Sequence, residues 1–157
     1  MGTLKEDIKE QSRWIVKAFE ADGFKLDYSI DSFIEIDKFV DKNMKNGRPK
    51  AGGRLAVNLG ATLFAIASYI GETIISNVPD SIWITDDEDA EGEINITVKL
   101  PNSTLIFPAQ KLMGRFKNGA EDSIYVYGHV ITQEFTKKPF NQHYWESTKA
   151  KPWWKFW

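Results

Sequence analysis

The strongest constraint on this chain is a stretch without charge. From Leu55 to Gly71, 17 consecutive residues include no Asp, Glu, Lys, Arg or His. A bilayer-crossing helix needs about 20 predominantly apolar residues. This run is shorter, and Asn58, Gly60, Thr62, Ser68 and Gly71 dilute it. It therefore reads as a helix buried at the centre of a globular fold. Gly60, Ala61, Ala65, Ala67, Ser68 and Gly71 are small, so neighbouring elements can approach its axis closely. The remainder of the chain has to supply the layers that cover it.

Two amphipathic helices are expected before it. Thr3 and Glu6 form a capping box ahead of a helix over residues 4–22. Ile8, Ile15 and Phe19 recur on one face, flanked by Trp14 and Ala18, and Gly23 suits the C-terminal end. Ser29 can cap a second helix, with Asp31 in its first turn. Phe33, Ile36, Val40 and Met44 line one face of that helix, and Asp37, Lys38, Asp41 and Lys42 another. It is expected to end near Asn46-Gly47 and to lead into a basic loop over residues 47–53.

Beyond Pro79-Asp80 the pattern changes to strands. Ile82-Trp83-Ile84-Thr85 is apolar and β-favouring. Residues 86–93 hold six acids in eight positions, which reads as a solvated loop. Ile94, Ile96 and Val98 then alternate with polar residues, and Pro101-Asn102-Ser103 turns the chain into Thr104-Leu105-Ile106-Phe107. Pro108 suits the first position of a helix that buries Leu112, Met113 and Phe116 and stops at Asn118-Gly119. Asp122 or Ser123 can cap a last helix from Ile124 to Glu134, although residues 123–127 also suit a strand. The expected fold is α+β: three N-terminal helices, a small three-stranded antiparallel sheet, two further helices and an aromatic C-terminal tail. One domain over residues 1–134 is expected, followed by a tail over 135–157.

Charge separates those two parts. The net charge of the 157 residues is -2. Residues 1–134 hold 15 basic and 21 acidic side chains, whereas residues 135–157 hold five Lys and only Glu146. Four of the six tryptophans, Trp145, Trp153, Trp154 and Trp157, lie in the tail. A general nucleic-acid binder would show an overall basic excess, so nucleic acid is not an expected partner. The chain has no cysteine, which removes disulfides, thiolate metal sites and cysteine nucleophiles. Met1 to Glu6 provides no apolar leader, and a cytoplasmic protein is expected.

The order of several short pieces resembles a small bacterial domain family of unknown function. They are Leu26-Asp27-Tyr28-Ser29 entering a helix, Tyr69-Ile70-Gly71-Glu72 ending the small-residue helix, and the strand with Trp83. Leu100-Pro101-Asn102-Ser103 leading to Phe107-Pro108, and Lys111 with Arg115-Phe116-Lys117-Asn118-Gly119 before Asp122-Ser123, complete the set over residues 26–134. The resemblance implies an α+β fold and a bacterial cytoplasmic protein, and it carries no activity.

Motifs for chemistry are sparse. Asp87, Asp89 and Glu91-Gly92 imitate the opening of a calcium loop, but the twelfth position is Val98 where a bidentate Glu is required, so no metal is expected. His129 and His143 lack zinc-ligand spacing, and no phosphate or dinucleotide fingerprint occurs, so no cofactor is expected. Gly52-Gly53 with Lys50 and Arg54 could hold an anion, but a basic turn explains them more simply. Glu72 is the first charge after the uncharged run, and it is expected to form an interior ion pair with Arg115 or Lys111. An enzyme would have to assemble Glu72, Arg115, Asp122 and a tyrosine such as Tyr69.

The expected function is non-catalytic: a protein-interaction partner, an immunity or accessory protein of a toxin or secretion system. Asp86, Asp87, Glu88, Asp89 and Glu91 would meet a basic protein surface, and Trp153, Trp154 and Trp157 would take part in docking or self-association. The alternative is a peripheral membrane protein that uses the Trp/Lys tail at an anionic interface.

Overall fold

The computed structural model describes residues 3–144. Helix α1 (Leu4–Ala21) starts where Thr3 Oγ1 accepts the Glu6 N–H at 3.3 Å, and it buries Ile8, Ser12, Ile15 and Phe19. Ser29 caps a short 3-10 turn (Ile30–Ser32), which runs into α2 (Phe33–Asn43). The two-residue strands β1 (Met44–Lys45) and β2 (Arg48–Pro49) then pair across Asn46-Gly47. Both turn residues have positive φ, 54° and 77°, as a type I′ hairpin turn requires. The expected helix end at Asn46-Gly47 is therefore a hairpin.

Helix α3 (Leu59–Asn77) is the expected central helix, shifted towards the C-terminus of the uncharged run. Phe64 to Gly71 are all buried, so most of its circumference is covered; α1 and α4 (Pro108–Asn118) make its main contacts. The helix is long and apolar enough to cross a bilayer, yet 61% of its most apolar window is covered by protein. Its small residues are used as expected for close approach. A Cβ on Gly71 would overlap the Trp83 ring.

Strands β3 (Ile82–Ile84), β4 (Thr97–Lys99) and β5 (Leu105–Ile106) form an antiparallel sheet in that order. Trp83, Val98 and Ile106 are paired across the sheet and face the core. Ile82, Lys99 and Leu105 form the opposing outer row. The alternation from Ile94 predicts an earlier start for β4. Instead, the Ile94 and Asn95 N–H groups both turn back to the Glu91 carbonyl, at 3.0 and 3.1 Å.

Pro108 opens α4, and a 3-10 turn (Gly119–Asp122) leads to α5 (Ile124–Thr136). Ser123 Oγ accepts the Val126 N–H at 3.1 Å, so this segment is a capped helix and not a strand. Past α5 the chain doubles back. The Asn141 N–H donates to Tyr125 Oη at 2.8 Å, and Phe140 and Tyr144 pack against the Tyr125 ring. The packed body thus continues past residue 134 to Tyr144, which is buried. Trp145, Trp153, Trp154 and Trp157 lie outside the described residues.

The observed architecture is mixed helix and strand: among the described residues, five α-helices with two small antiparallel sheets, around one hydrophobic core.

Candidate functional site

The most concentrated charge chemistry is buried. Asp37 on α2 has no solvent-exposed surface and accepts four hydrogen bonds with its carboxylate. Oδ1 takes Arg115 Nε at 2.8 Å and the Ile124 N–H at 3.0 Å. Oδ2 takes Ser123 Oγ at 2.8 Å and the Tyr125 N–H at 3.0 Å. One carboxylate therefore neutralises a cation on α4 and satisfies the otherwise orphaned first N–H groups of α5. Arg115 completes its fork with the Asp37 carbonyl at 3.2 Å and Asp41 Oδ1 at 2.7 Å. Burial opposes the Arg115 charge, but the bonds to Asp41 and Asp37 outweigh it and hold the guanidinium pKa above its ordinary value.

The expected ion pair from Glu72 to Arg115 or Lys111 does not form. Glu72 Oε2 instead accepts Trp83 Nε1 at 3.3 Å, and Lys111 pairs with Asp122 at 3.6 Å. Glu72 is half-buried within α3, more than a turn before its end at Asn77, on the side that faces Trp83 of β3, whereas Arg115 is bonded to the two acids of α2. Asp37 and Asp41 share a charged helix face with Lys38 and Lys42 in the sequence, and that pattern does not distinguish a core carboxylate from a solvated one. The usable signal was Ser123, a cap whose helix needed further acceptors.

Glu72, Arg115, Asp122 and Tyr69 each have separate partners. Tyr69 is buried, its hydroxyl bonded to Ser32 Oγ at 2.5 Å and accepting the Tyr28 N–H at 2.8 Å. Burial pushes its phenol pKa up, only partly opposed by the bond to Ser32. Asp122 accepts Asn118 Nδ2 at 2.6 Å, and this bond, against slight burial and with help from Lys111, holds its pKa below the ordinary value. Arg54, considered for anion binding, is engaged by Asp22 through contacts of 2.7–3.1 Å. That pair borders a groove of about 630 Å³ lined by Trp14, Phe19, Phe39 and Val57.

The acidic loop is partly structural. Asp87 Oδ1 accepts the Leu4 N–H at 2.8 Å and so caps α1 from 83 residues away. Asp86 accepts the Glu88 N–H at 3.0 Å, and Asp89 accepts the Glu91 N–H and Asn95 Nδ2, both at 2.9 Å. Asn95 and Glu91 hold the Asp89 pKa below its ordinary value, with the Asn95 bond the larger cause. Asp86, Asp87, Glu88 and Glu91 are exposed. The Asp87 cap also brings Glu6 and Asp7, in the first turn of α1, beside the loop. Two segments remote in sequence thus meet on one surface.

Next to that surface lies an apolar face. Ile82, Ile84 and Leu105 on the outer side of the sheet are 55%, 45% and 48% exposed. Phe107, which follows β5 and leads into α4, is 40% exposed. The loop 86–93 joins the Ile84 end of β3 to β4, so the acids border this face. Ile94, just past the loop, is 38% exposed. Composition alone did not reveal the face, because each of its residues reads as ordinary strand core.

No protein-family model, curated protein or solved structure matches the chain, so the functional reading rests on its own residues.

Proposed function

We propose that the protein is a non-catalytic interaction module that docks a protein partner on the outer face of its three-stranded sheet. The supporting observation is the juxtaposition of Ile82, Ile84 and Leu105, all 45–55% exposed, with the acidic loop. An apolar centre with a charged rim is the anatomy of a protein interface. The acids select a partner with a basic surface and speed its encounter. The strongest interior charge cluster is spent on joining α2, α4 and α5. An immunity or accessory partner of a toxin or secretion system is the concrete form of this reading.

The test compares immobilised full-length protein with an Ile82→Ser, Ile84→Ser, Leu105→Ser variant, both exposed to lysate of the source cells. These side chains are already solvent-exposed, so the variant is expected to fold. A basic protein should be retained by the parent, released in about 1 M salt, and recovered at least about tenfold less on the variant, the loss of one or more interface anchors. Identical recovery on both proteins would refute the docking face.

A further inference from the structure

We infer that the groove between α1 and the start of α3 is a binding site for a small monocarboxylate with an apolar body, an aromatic ring or a branched chain. The site uses no residue of the sheet face.

The apolar part of the groove suits such a body. One face of α1 and the residues entering α3 enclose about 630 Å³, within the range of about 300–1,000 Å³ usual for small-ligand sites. Ile15, Phe19 and Phe39 supply a buried wall, whereas Trp14 and Val57 are 50% and 69% exposed. Ala18, Ala21 and Ala61 end at Cβ and leave the space open. A ring or branched chain seated there would cover Trp14 and Val57 and expel water from both.

The polar part supplies donors. Asn58, the cap residue of α3, has φ 57° and ψ 40° in place of the extended backbone of an ordinary N-cap, and its side chain makes no capping bond. No acid lies in the first turn. The Leu59, Gly60 and Ala61 N–H groups therefore have no acceptor among the described residues, at the positive end of a 19-residue helix. Thr62 is a second and independent sign of a ligand. It lines the groove, is only 8% exposed, and its hydroxyl has no partner among the described residues. The unpartnered hydroxyls sealed away from solvent are those of Thr73 and Ser81, so that of Thr62 opens on the groove. A hydroxyl so placed calls for an acceptor.

Arg54 and Asp22 set the charge of the ligand. Arg54 Nε and Nη2 hold Asp22 at 2.7–3.1 Å, which fixes the guanidinium plane, and Nη1 has no acceptor among the described residues. That free edge can donate to a second carboxylate. The Asp22 charge repels a dianion such as a phosphate monoester, and the helix end repels a cation. One negative charge is what the remaining donors match.

The test titrates the isotope-labelled full chain with hydrocinnamate and with isocaproate. At least one should bind at about millimolar affinity or tighter, the scale for a ligand of this size, and shift the Leu59 to Thr62 amide resonances and the Trp14 indole N–H. Hydrocinnamyl alcohol and phenylpropylamine should bind at least about tenfold more weakly, having lost a charge-assisted hydrogen bond. Arg54→Gln should weaken the carboxylate about tenfold and leave the alcohol unchanged. The Arg54–Asp22 pair lies at the surface, so this variant is expected to fold. Thr62→Val, of similar volume, should weaken the carboxylate about fivefold, as for one neutral hydrogen bond. Equal affinity for carboxylate and alcohol would overturn the inference, as would an unchanged affinity in Arg54→Gln or tighter binding of the amine or of phenyl phosphate. So would shifts confined to residues outside the groove, or unmoved Leu59 to Thr62 amides with both carboxylates at about 20 mM, well above the expected affinity. Groove resonances that follow protein concentration without ligand would assign the groove to a second copy and overturn it equally.

Discussion

Asp37 is acceptor to four donors, and only one of them is a charge. Its removal and the removal of Arg115 therefore have unequal consequences. Asp37→Ala leaves buried Arg115 with Asp41 as its one remaining carboxylate and strips the acceptor from the start of α5. Urea unfolding should show a loss of about 3–5 kcal/mol, as for other broken buried pairs. Arg115→Met keeps much of the side-chain volume and leaves Asp37 with Ser123 and two backbone N–H groups. It should cost at least about 1 kcal/mol less, roughly one net hydrogen bond. An equal or larger loss for Arg115→Met would make the guanidinium, and not the helix terminus, the main partner of Asp37. The sequence disclosed the residue types of this cluster but not its pairing. The uncharged run drew attention to Glu72, because it is the first charge that follows. The true partners of Arg115 lie 74 and 78 residues away, on a helix face that reads as solvated.

At the scale of elements, α3 contains a paired test of its own packing. Gly71 faces the Trp83 ring, and a Cβ there would overlap it, whereas a Cβ on Gly60 would meet nothing within 4 Å. Gly71→Ala should destabilise by about 1–3 kcal/mol or more, since β3 must move away. Gly60→Ala should be neutral or stabilise by up to about 1 kcal/mol through helix propensity. Thermal unfolding should show a lowered midpoint for Gly71→Ala and none for Gly60→Ala; a stabilising Gly71→Ala would mean that Trp83 does not pack on α3. Helix starts governed by adjacent residues are legible in the sequence: Thr3 and Pro108 open the helices expected of them, and Ser123, one of two residues suited to cap the last helix, opens it. The β1–β2 hairpin was not, because Asn-Gly signals both a helix stop and a type I′ turn, and two-residue strands leave no alternation to detect. The late start of β4 was equally hidden, since Asn95 and Glu91 close a turn that the apolar alternation from Ile94 overrides on paper.

For the molecule as a whole, titration should bound stability on both sides. Hydrogen bonds hold the carboxyls of Asp27, Asp89 and Asp122 below their ordinary pKa of 3.8, with Ser29, Asn95 and Asn118 the leading causes. Such groups take up protons more readily in the unfolded chain, so their stabilisation is present above the ordinary carboxylate range and is lost as the pH falls below it. Burial raises the phenol pKa values of Tyr69, Tyr125 and Tyr127 above 10.0. The unfolded chain ionises first there, and stability declines as the pH rises past 10.0. The midpoint of thermal unfolding should therefore form a plateau with an acid and an alkaline shoulder. Ultraviolet titration should show these tyrosines ionising together with unfolding; ionisation of all five tyrosines near 10 in a still-folded protein would contradict their burial.

The ties between distant segments also order events during synthesis. The second cap of α1, on the Leu4 N–H, needs Asp87, and the acceptor on α2 needs Arg115, Ser123 and the start of α5. A growing chain exposes Asp37 as an ordinary surface acid until nearly seven-eighths of the described residues, through Tyr125, have been made. Only then can its carboxylate leave water. The three helices it joins are thus secured in one late step, and a ribosome paused before Ser123 would hold a chain whose central helix exists but whose interior charges have not yet been brought together.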